Sequence, residues 1–401
     1  MAAGAAAGPA EGNPARRRAG IAQGVTVMFA AFLPILAIVG LAPAVPSIIE
    51  AFADVPGATT LVPLAVTAPG LMIALFSPLM GWFADRHGRR KLLLGATVIY
   101  GFVGTIPFFV DSIEALIASR LALGICEAAI LTVTNTLIGD YFSHDERRGW
   151  LTFQGVIGPI FGTGTVFLSG FLAAQSWQLP FVIYAVAFPI SLLMLLFLFE
   201  PDVKAEVVSQ EAPQSTFPWR QVTICCSFTL FAAALYYVYI VQVGRAFGEV
   251  GVASAGDIGT YISIASIGVV LGALLFQWVS RRFSSDLQLL IFLSLLGVGL
   301  VGIGLSNDPT MMTGFAFVQQ LGAGILIPAL VLWTVSHLPP EHRGRGMGIW
   351  SGCFFLGQFV SPLLVTGTQM LSGSIRDAFI ILGIISIAGG LSARLMTRWI
   401  K

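Results

Sequence analysis

Hydrophobic residues run through this chain in long unbroken blocks rather than at the spacing of an amphipathic helix or a half-buried strand. The stretches 19–49, 55–84, 92–110, 221–244, 258–280, 287–307, 309–340 and 346–375 carry no Asp, Glu, Lys or Arg. The stretch 149–199 is also free of charge and is long enough for two spans, with a turn near Ser176–Gln178. A helix needs roughly 20 apolar residues to cross the hydrocarbon core. Backbone polar groups must be satisfied internally there, so only helices or closed barrels can span it. Barrel strands alternate over about ten residues, and these blocks are longer and uniformly apolar. The pattern therefore predicts an all-α membrane protein with twelve transmembrane helices, near 25–47, 61–82, 92–110, 113–138, 150–174, 179–199, 221–243, 258–280, 287–305, 311–335, 346–371 and 377–397.

Composition agrees with that reading. The 401 residues are 56% hydrophobic and 10% charged, a balance that a water-facing surface of this size cannot carry. Net charge is +1, but its placement is lopsided. All but three of the 21 Lys and Arg fall on one side: Arg16, Arg17, Arg18, Arg86, Arg89, Arg90, Lys91, Arg147, Arg148, Lys204, Arg220, Arg281, Arg282, Arg343, Arg345, Arg394, Arg398 and Lys401. Arg245 and Arg376 fall on the other side, and Arg120 lies within a span. Basic loops stay in the cytoplasm, so both termini are expected there, with the chain in the cell (inner) membrane as a multi-pass protein. The first span is too long for a signal peptide and eleven more follow it. Nothing suggests nucleic-acid binding; the expected partners are the lipid bilayer, protons and a small-molecule substrate, and the expected state is a monomer. Cys126, Cys225, Cys226 and Cys353 all fall inside predicted helices without metal-ligand spacing, and read as small core residues. No cofactor is expected. Hydrolase, kinase, metalloprotease and P-loop motifs are missing, so the chain does not read as an enzyme.

The segment 200–220 is the one long polar stretch of the interior, with Pro201, Pro213 and Pro218 among its acids. It divides the chain into a disordered N-terminus (1–20), a six-helix bundle (21–199), a cytoplasmic linker (200–220) and a second six-helix bundle (221–401). The halves echo each other: SRLALGICEAA at 119–129 aligns with QQLGAGILIPA at 319–329, matching Arg120 with Gln320 and Gly124 with Gly324. Such repeats suit two bundles that rock about a central site. The loop after the second helix reads GWFADRHGRRK at 81–91. Its Gly81, Asp85, Arg86, Gly88, Arg89 and Arg90 closely resemble the Gly-x-x-x-Asp-Arg-x-Gly-Arg-Arg signature of the major facilitator superfamily. The matching loop of the second half, FQWVSRRFSSD at 276–286, is degraded. The resemblance covers the chain after residue 20. It implies the fold of that family and a conformational latch that holds the outward-open state. In physical terms, Asp85 can accept hydrogen bonds at the positive N-terminus of helix 11 near Gly346. Arg89 can pair with Asp140 at the end of helix 4. The alternative is that the basic residues only anchor topology.

Only Arg120 and Glu127 are ionisable residues clearly embedded in a span, and such residues are functional by default. They lie seven apart in helix 4, on one face and roughly 10 Å apart along its axis. Desolvation disfavours a carboxylate and a guanidinium nearby favours it, so the pair can poise Glu127 to bind and release a proton. Arg120 cannot deprotonate; it can answer the state of Glu127 or hold an anionic substrate group. The pattern Arg120, Gly124, Glu127, Ala128 resembles helix 4 of organic-anion symporters and spinster-like transporters, in which Arg and Glu couple transport to protons. The same Arg belongs to a motif of drug–proton antiporters.

Helix 1 ends in LAPAVPSI, and Pro43 and Pro46 resemble the helix 1 motif of those antiporters. In helix 5, Gly158, Pro159 and Gly162 match part of their Gly-x-x-x-Gly-Pro-x-x-Gly-Gly motif. Gln154 replaces the first Gly and Thr163 the last. The same residues also suit ordinary close packing. Tyr236 and Tyr237 of helix 7, Gln320 of helix 10, and Phe355 and Gln358 of helix 11 offer an aromatic, weakly charged binding surface, or equally interhelical packing. Together these features predict a proton-coupled secondary transporter that exports small amphipathic compounds by alternating access. The alternative is a proton symporter that imports an organic anion, although helix 1 lacks the second buried cation such symporters often carry.

Overall fold

The computed structural model describes residues 19–201 and 216–400. The expected disorder of the N-terminus and most of the 200–220 linker lie outside the described residues. Within them are twelve helices long and apolar enough to span a membrane: helix 1 Ile21–Ala51, helix 2 Ala58–His87, helix 3 Arg89–Phe108, helix 4 Ile113–Tyr141, helix 5 Asp145–Ala173, helix 6 Leu179–Phe197, helix 7 Trp219–Glu249, helix 8 Ala255–Arg282, helix 9 Ser285–Leu305, helix 10 Pro309–His337, helix 11 Pro340–Ser372 and helix 12 Ile375–Ala393. Twelve were expected, at these places. Several extend by a turn beyond their apolar blocks, because a helix continues past the hydrocarbon wherever its ends are capped. The Ser112 hydroxyl accepts from the Ala115 amide at 3.2 Å at the start of helix 4. Asp308 accepts from the Thr310 and Met311 amides, both at 2.9 Å, at the start of helix 10.

Helix 1 is not continuous. It is α-helical over Ile21–Val39, tightens to a 3-10 turn at Ala42–Ala44, and resumes over Val45–Ala51. Pro43 sits in the turn and Pro46 in the first turn of the second piece, positions where a missing amide costs no helical hydrogen bond.

The helices form two six-helix bundles related by an internal repeat, with an offset of 200 residues between the matching glycines of helices 3 and 9 and of helices 4 and 10. A Cβ built on Gly124 would lie 2.5 Å from Pro69 Cα, so helix 4 rests directly on the backbone of helix 2. Gly324 of helix 10 presses in the same way on helix 8, against the carbonyl of Val269 and the amide of Ala273. Gly104 gives helix 3 its close approach to Tyr184 of helix 6, at 2.6 Å, and Gly304 brings helix 9 against Arg376 O of helix 12, at 2.5 Å. Small residues drive this packing because lipid supplies no hydrophobic force between helices, leaving van der Waals contact as the main attraction.

The two bundles meet along helices 1 and 7, 2 and 11, and 5 and 8. A Cβ built on Gly244 would lie 2.9 Å from Ala42 O and 3.2 Å from the Pro46 ring. Gly170 and Gly259 bring helices 5 and 8 into backbone contact, and the Thr60 and Thr366 hydroxyls lie 3.4 Å apart between helices 2 and 11. These contacts lie in the helix halves away from residues 201 and 216, so that end of the molecule is closed. The opposite end carries Asp85, whose side chain is 72% exposed.

Candidate proton and substrate site

The signature loop sits at the open end. Gly88 separates helices 2 and 3 at φ 96°, a conformation that favours glycine. A Cβ there would also meet the Glu200 carboxylate at 2.9 Å. Glu200 accepts from the Arg89 amide at 2.5 Å and the Arg90 amide at 3.1 Å, so a carboxylate from beyond helix 6 caps the positive end of helix 3. Sequence reading left Glu200 in the linker. Its signal is position only, since nothing in the sequence says which helix end it faces. The Arg89 guanidinium pairs with Asp140 and lies 3.6 Å from Asp85. Arg90 Nη2 donates to Leu195 O at 3.1 Å, and the Arg86 guanidinium stacks on Trp82 at 5.4 Å. Gly81 faces Thr132 of helix 4. Asp85 is turned to solvent beside Arg89 in this conformation.

Helix 4 places Arg120 and Glu127 in different surroundings. Arg120 is fully buried and points into its own bundle. Its Nη2 donates to Gly104 O at 3.0 Å, at the end of helix 3, and its guanidinium lies over the rings of Phe181 at 5.0 Å and Tyr184 at 4.7 Å. Sequence reading missed both aromatics. Gln320, expected to share the cavity with Arg120, is likewise buried inside its bundle, with Nε2 donating to Gln319 Oε1 at 2.9 Å. Gln320 is satisfied by the neighbouring side-chain amide, and Arg120 by a helix end and two rings. A helix end leaves carbonyls unpaired, and a buried donor is held best where such acceptors and ring faces are fixed.

Glu127 is 2% exposed, and among the described residues it is the only carboxylate in the buried set. Its Oε1 has no hydrogen-bond partner among the described residues. It lies in electrostatic reach of Tyr100 on helix 3, Arg120, and Tyr237 on helix 7 across the bundle interface. The seven-residue spacing leaves it without an ion pair to Arg120 among the described residues.

Tyr237 belongs to an aromatic wall built by helices 7 and 11. Tyr236 and Tyr237 pack at 4.8 Å, Tyr237 and Phe354 at 5.7 Å, and Phe354 continues to Phe355 and Trp350, each at 5.7 Å. Trp350 was not singled out in the sequence, because Trp near a span end normally reads as an interfacial anchor. Gln358 lies at the helix 2 contact, where its amide would meet a Cβ on Gly70 at 2.8 Å. In helix 5, Gly158 and Gly162 face Phe32 and Ile35 of helix 1, and Pro159 O accepts from the Thr163 hydroxyl at 2.9 Å.

A family model described as Major Facilitator Superfamily matches residues 27–242 and 222–401. The chain belongs to the major facilitator superfamily. As in that superfamily, it is a multi-pass membrane transporter and not an enzyme. Among curated proteins it is 28% identical over 328 residues to the class C tetracycline resistance protein of Escherichia coli, covering 76% of this chain and 78% of that one. It is also 28% identical over 294 residues to the multidrug efflux pump LfrA of Mycolicibacterium smegmatis, over 70% of this chain and 52% of the pump. Among solved structures, a D-xylose-proton symporter superposes with TM-score 0.75 at 14% identity, covering 93% of this chain and 96% of that one. A bacterial spinster homologue in an inward-facing, occupied conformation gives 0.71 at 16% identity, covering 94% and 96%. Likenesses at these identities speak for the fold.

Proposed function

We propose that this major facilitator protein is a proton-coupled exporter of small amphipathic organic compounds. Glu127 carries the reading. A carboxyl buried inside a span costs several kcal/mol and is kept where its protonation does work. It sits between a fixed cation on one side and the aromatic wall of helices 7 and 11 on the other. Loading and release of its proton at alternate faces, coupled to the rocking of the bundles, drives substrate outward. The aromatic wall supplies apolar and π contact for the substrate. The names of the tetracycline resistance and multidrug efflux relatives support export. The inward turn of Arg120 toward Gly104 O also supports it, since that cation is engaged elsewhere and is poorly placed to hold an organic anion.

In this reading the closed end faces outside, both termini and the 200–220 linker are cytoplasmic, and the protein is a monomer in the inner membrane. The Asp85 cluster engages helix 11 when the open end shuts. Proteoliposomes tests the mechanism: with an inward proton gradient, an amphipathic substrate should move outward and collapse the gradient, and uptake of organic anions should stay at background. Accumulation of an organic anion with protons would favour the import reading. A Gln210→Cys variant should label with a membrane-impermeant maleimide only after permeabilisation; labelling in intact cells would overturn the topology.

A further inference from the structure

Helices 7 and 11 run parallel and touch where Gly357 removes a side chain. A Cβ there would lie 2.7 Å from Ala233 Cβ and 2.9 Å from Leu230 O. Four residues earlier on each helix, one turn toward the open end, stand Cys353 and Cys226. Leu230 and Gly357 face each other across this contact, so the positions one turn earlier on each helix, Cys226 and Cys353, face each other too. Cys226 is 6% exposed, whereas Cys353 is partly exposed. Neighbouring Cys225 is fully buried and projects about 100° away round the helix. Cys126 lies on helix 4 in the other bundle. Two cysteines from two rigid helices therefore converge, one of them partly exposed, beside the aromatic wall between Trp350 and Phe354.

We propose that Cys226 and Cys353 form a dithiol clamp that captures trivalent arsenic carrying one organic group. Sulfur ligands suit a soft centre. A bent centre suits thiols on directly facing positions of closely packed helices better than a linear two-coordinate metal, which would hold them further apart. The reaction is a condensation without redox change. Two As–S bonds form, the arsenic–oxygen bond of the organoarsenic oxide breaks, and both thiol protons leave with that oxygen as one water. Because both sulfurs are held by packed helices, the second bond closes as an intramolecular step and adds roughly 10²–10⁴-fold to a single thiol's affinity. The bridge fixes the helix 7–helix 11 spacing beside Phe354, the next residue after Cys353, and about three turns below Tyr237 on helix 7. The clamp requires neither proton coupling nor a particular substrate.

The test uses phenylarsine oxide on the purified full chain in detergent, followed by maleimide labelling and peptide mapping. One arsenical should bind per chain, with Cys226 and Cys353 protected together. A dithiol should reverse the protection and a monothiol should not. Cys226→Ser and Cys353→Ser should each weaken binding at least about 100-fold and leave the partner cysteine free to label. Cys225→Ser should bind as the wild type does. Joint protection of Cys225 with Cys226, protection of neither cysteine, or undiminished binding by either single variant would overturn the clamp. The mapping on the wild-type chain decides the matter even if a serine variant folds poorly.

Discussion

The two bundles share a scaffold and differ in their chemistry. Gly124 and Gly324 make the same close approach to helices 2 and 8, and Gly104 and Gly304 make the same approach to helices 6 and 12. In both halves a guanidinium donates to the carbonyl that ends helix 3 or helix 9, but it comes from different places. Arg120 reaches Gly104 O from two turns into helix 4, while Arg376 reaches Gly304 O at 3.1 Å from the first turn of helix 12. Moving that cation to the edge of the second bundle leaves position 320 to a neutral amide. Further along the same repeat, buried Glu127 is matched by Ile327, which is 41% exposed. Backbone-level packing is thus duplicated, whereas among the described residues the buried guanidinium and the buried carboxylate, Arg120 and Glu127, both belong to the first bundle. Close packing must recur wherever the rigid bodies recur, whereas a buried charge costs energy in each copy and persists only where it is used.

The comparison breaks most visibly at the glycines. Gly124→Val and Gly324→Val should each destabilise by roughly 3 kcal/mol or more, because the new side chain meets backbone that cannot yield. Loss of monodisperse protein on size-exclusion chromatography reads this out. If one variant stayed stable and the other collapsed, the 200-residue register would be wrong. Glu127→Gln should separate the halves completely. Transport against a gradient should fall at least about 100-fold, while substrate exchange survives, because the amide mimics the protonated acid. Flux in proteoliposomes with and without a pH gradient measures it. Concentrative transport by this variant would move proton coupling away from helix 4. Ile327→Gln should leave coupling intact.

A smaller asymmetry should follow at Arg120 and Gln320. Arg120→Ala loses a buried charge-assisted hydrogen bond and two ring contacts, at a cost of about 3 kcal/mol. Gln320→Ala loses one neutral hydrogen bond, worth about 1 kcal/mol. Thermal midpoints in detergent should order wild type, Gln320→Ala, Arg120→Ala. Equal losses would mean the cation adds nothing to the shared frame. The smallest effect on stability belongs to Asp85→Asn. With Asp85 turned to solvent beside Arg89, the thermal midpoint should change by no more than about 0.5 kcal/mol equivalent. Transport should still slow several-fold, because the helix 11 contact is lost when the open end shuts. Normal flux in a folded variant would reduce the cluster to a topology anchor.

Much of this could be read before the fold was known. The twelve helices, the repeat that pairs Gly124 with Gly324, and the pairing of Arg89 with Asp140 follow from charge-free blocks and motif spacing. What stayed hidden has a common cause. A membrane helix is apolar toward lipid and toward its neighbours alike, so hydrophobic periodicity does not fix its rotation. Arg120 and Glu127 share a helix face by spacing, yet Arg120 is held at the end of helix 3 while Glu127 Oε1 has no hydrogen-bond partner among the described residues. Glu200, Phe181 and Tyr184 acquire their roles from helices distant in sequence, and the thiol pair depends on the parallel approach at Gly357.

The sequence by itself determined that this chain crosses a membrane twelve times, and which few residues are too polar to be there without cause. Burying a charge or an unpaired backbone group in hydrocarbon costs more than local propensity can offset, so those features appear in one dimension. The tertiary structure alone decided which groups meet: the carbonyl that holds Arg120, the tyrosines within electrostatic reach of Glu127, the carboxylate that caps helix 3, and the end at which the bundles close. Such partnerships depend on side-chain reach and helix rotation over a few ångströms, and these are set only when the helices pack.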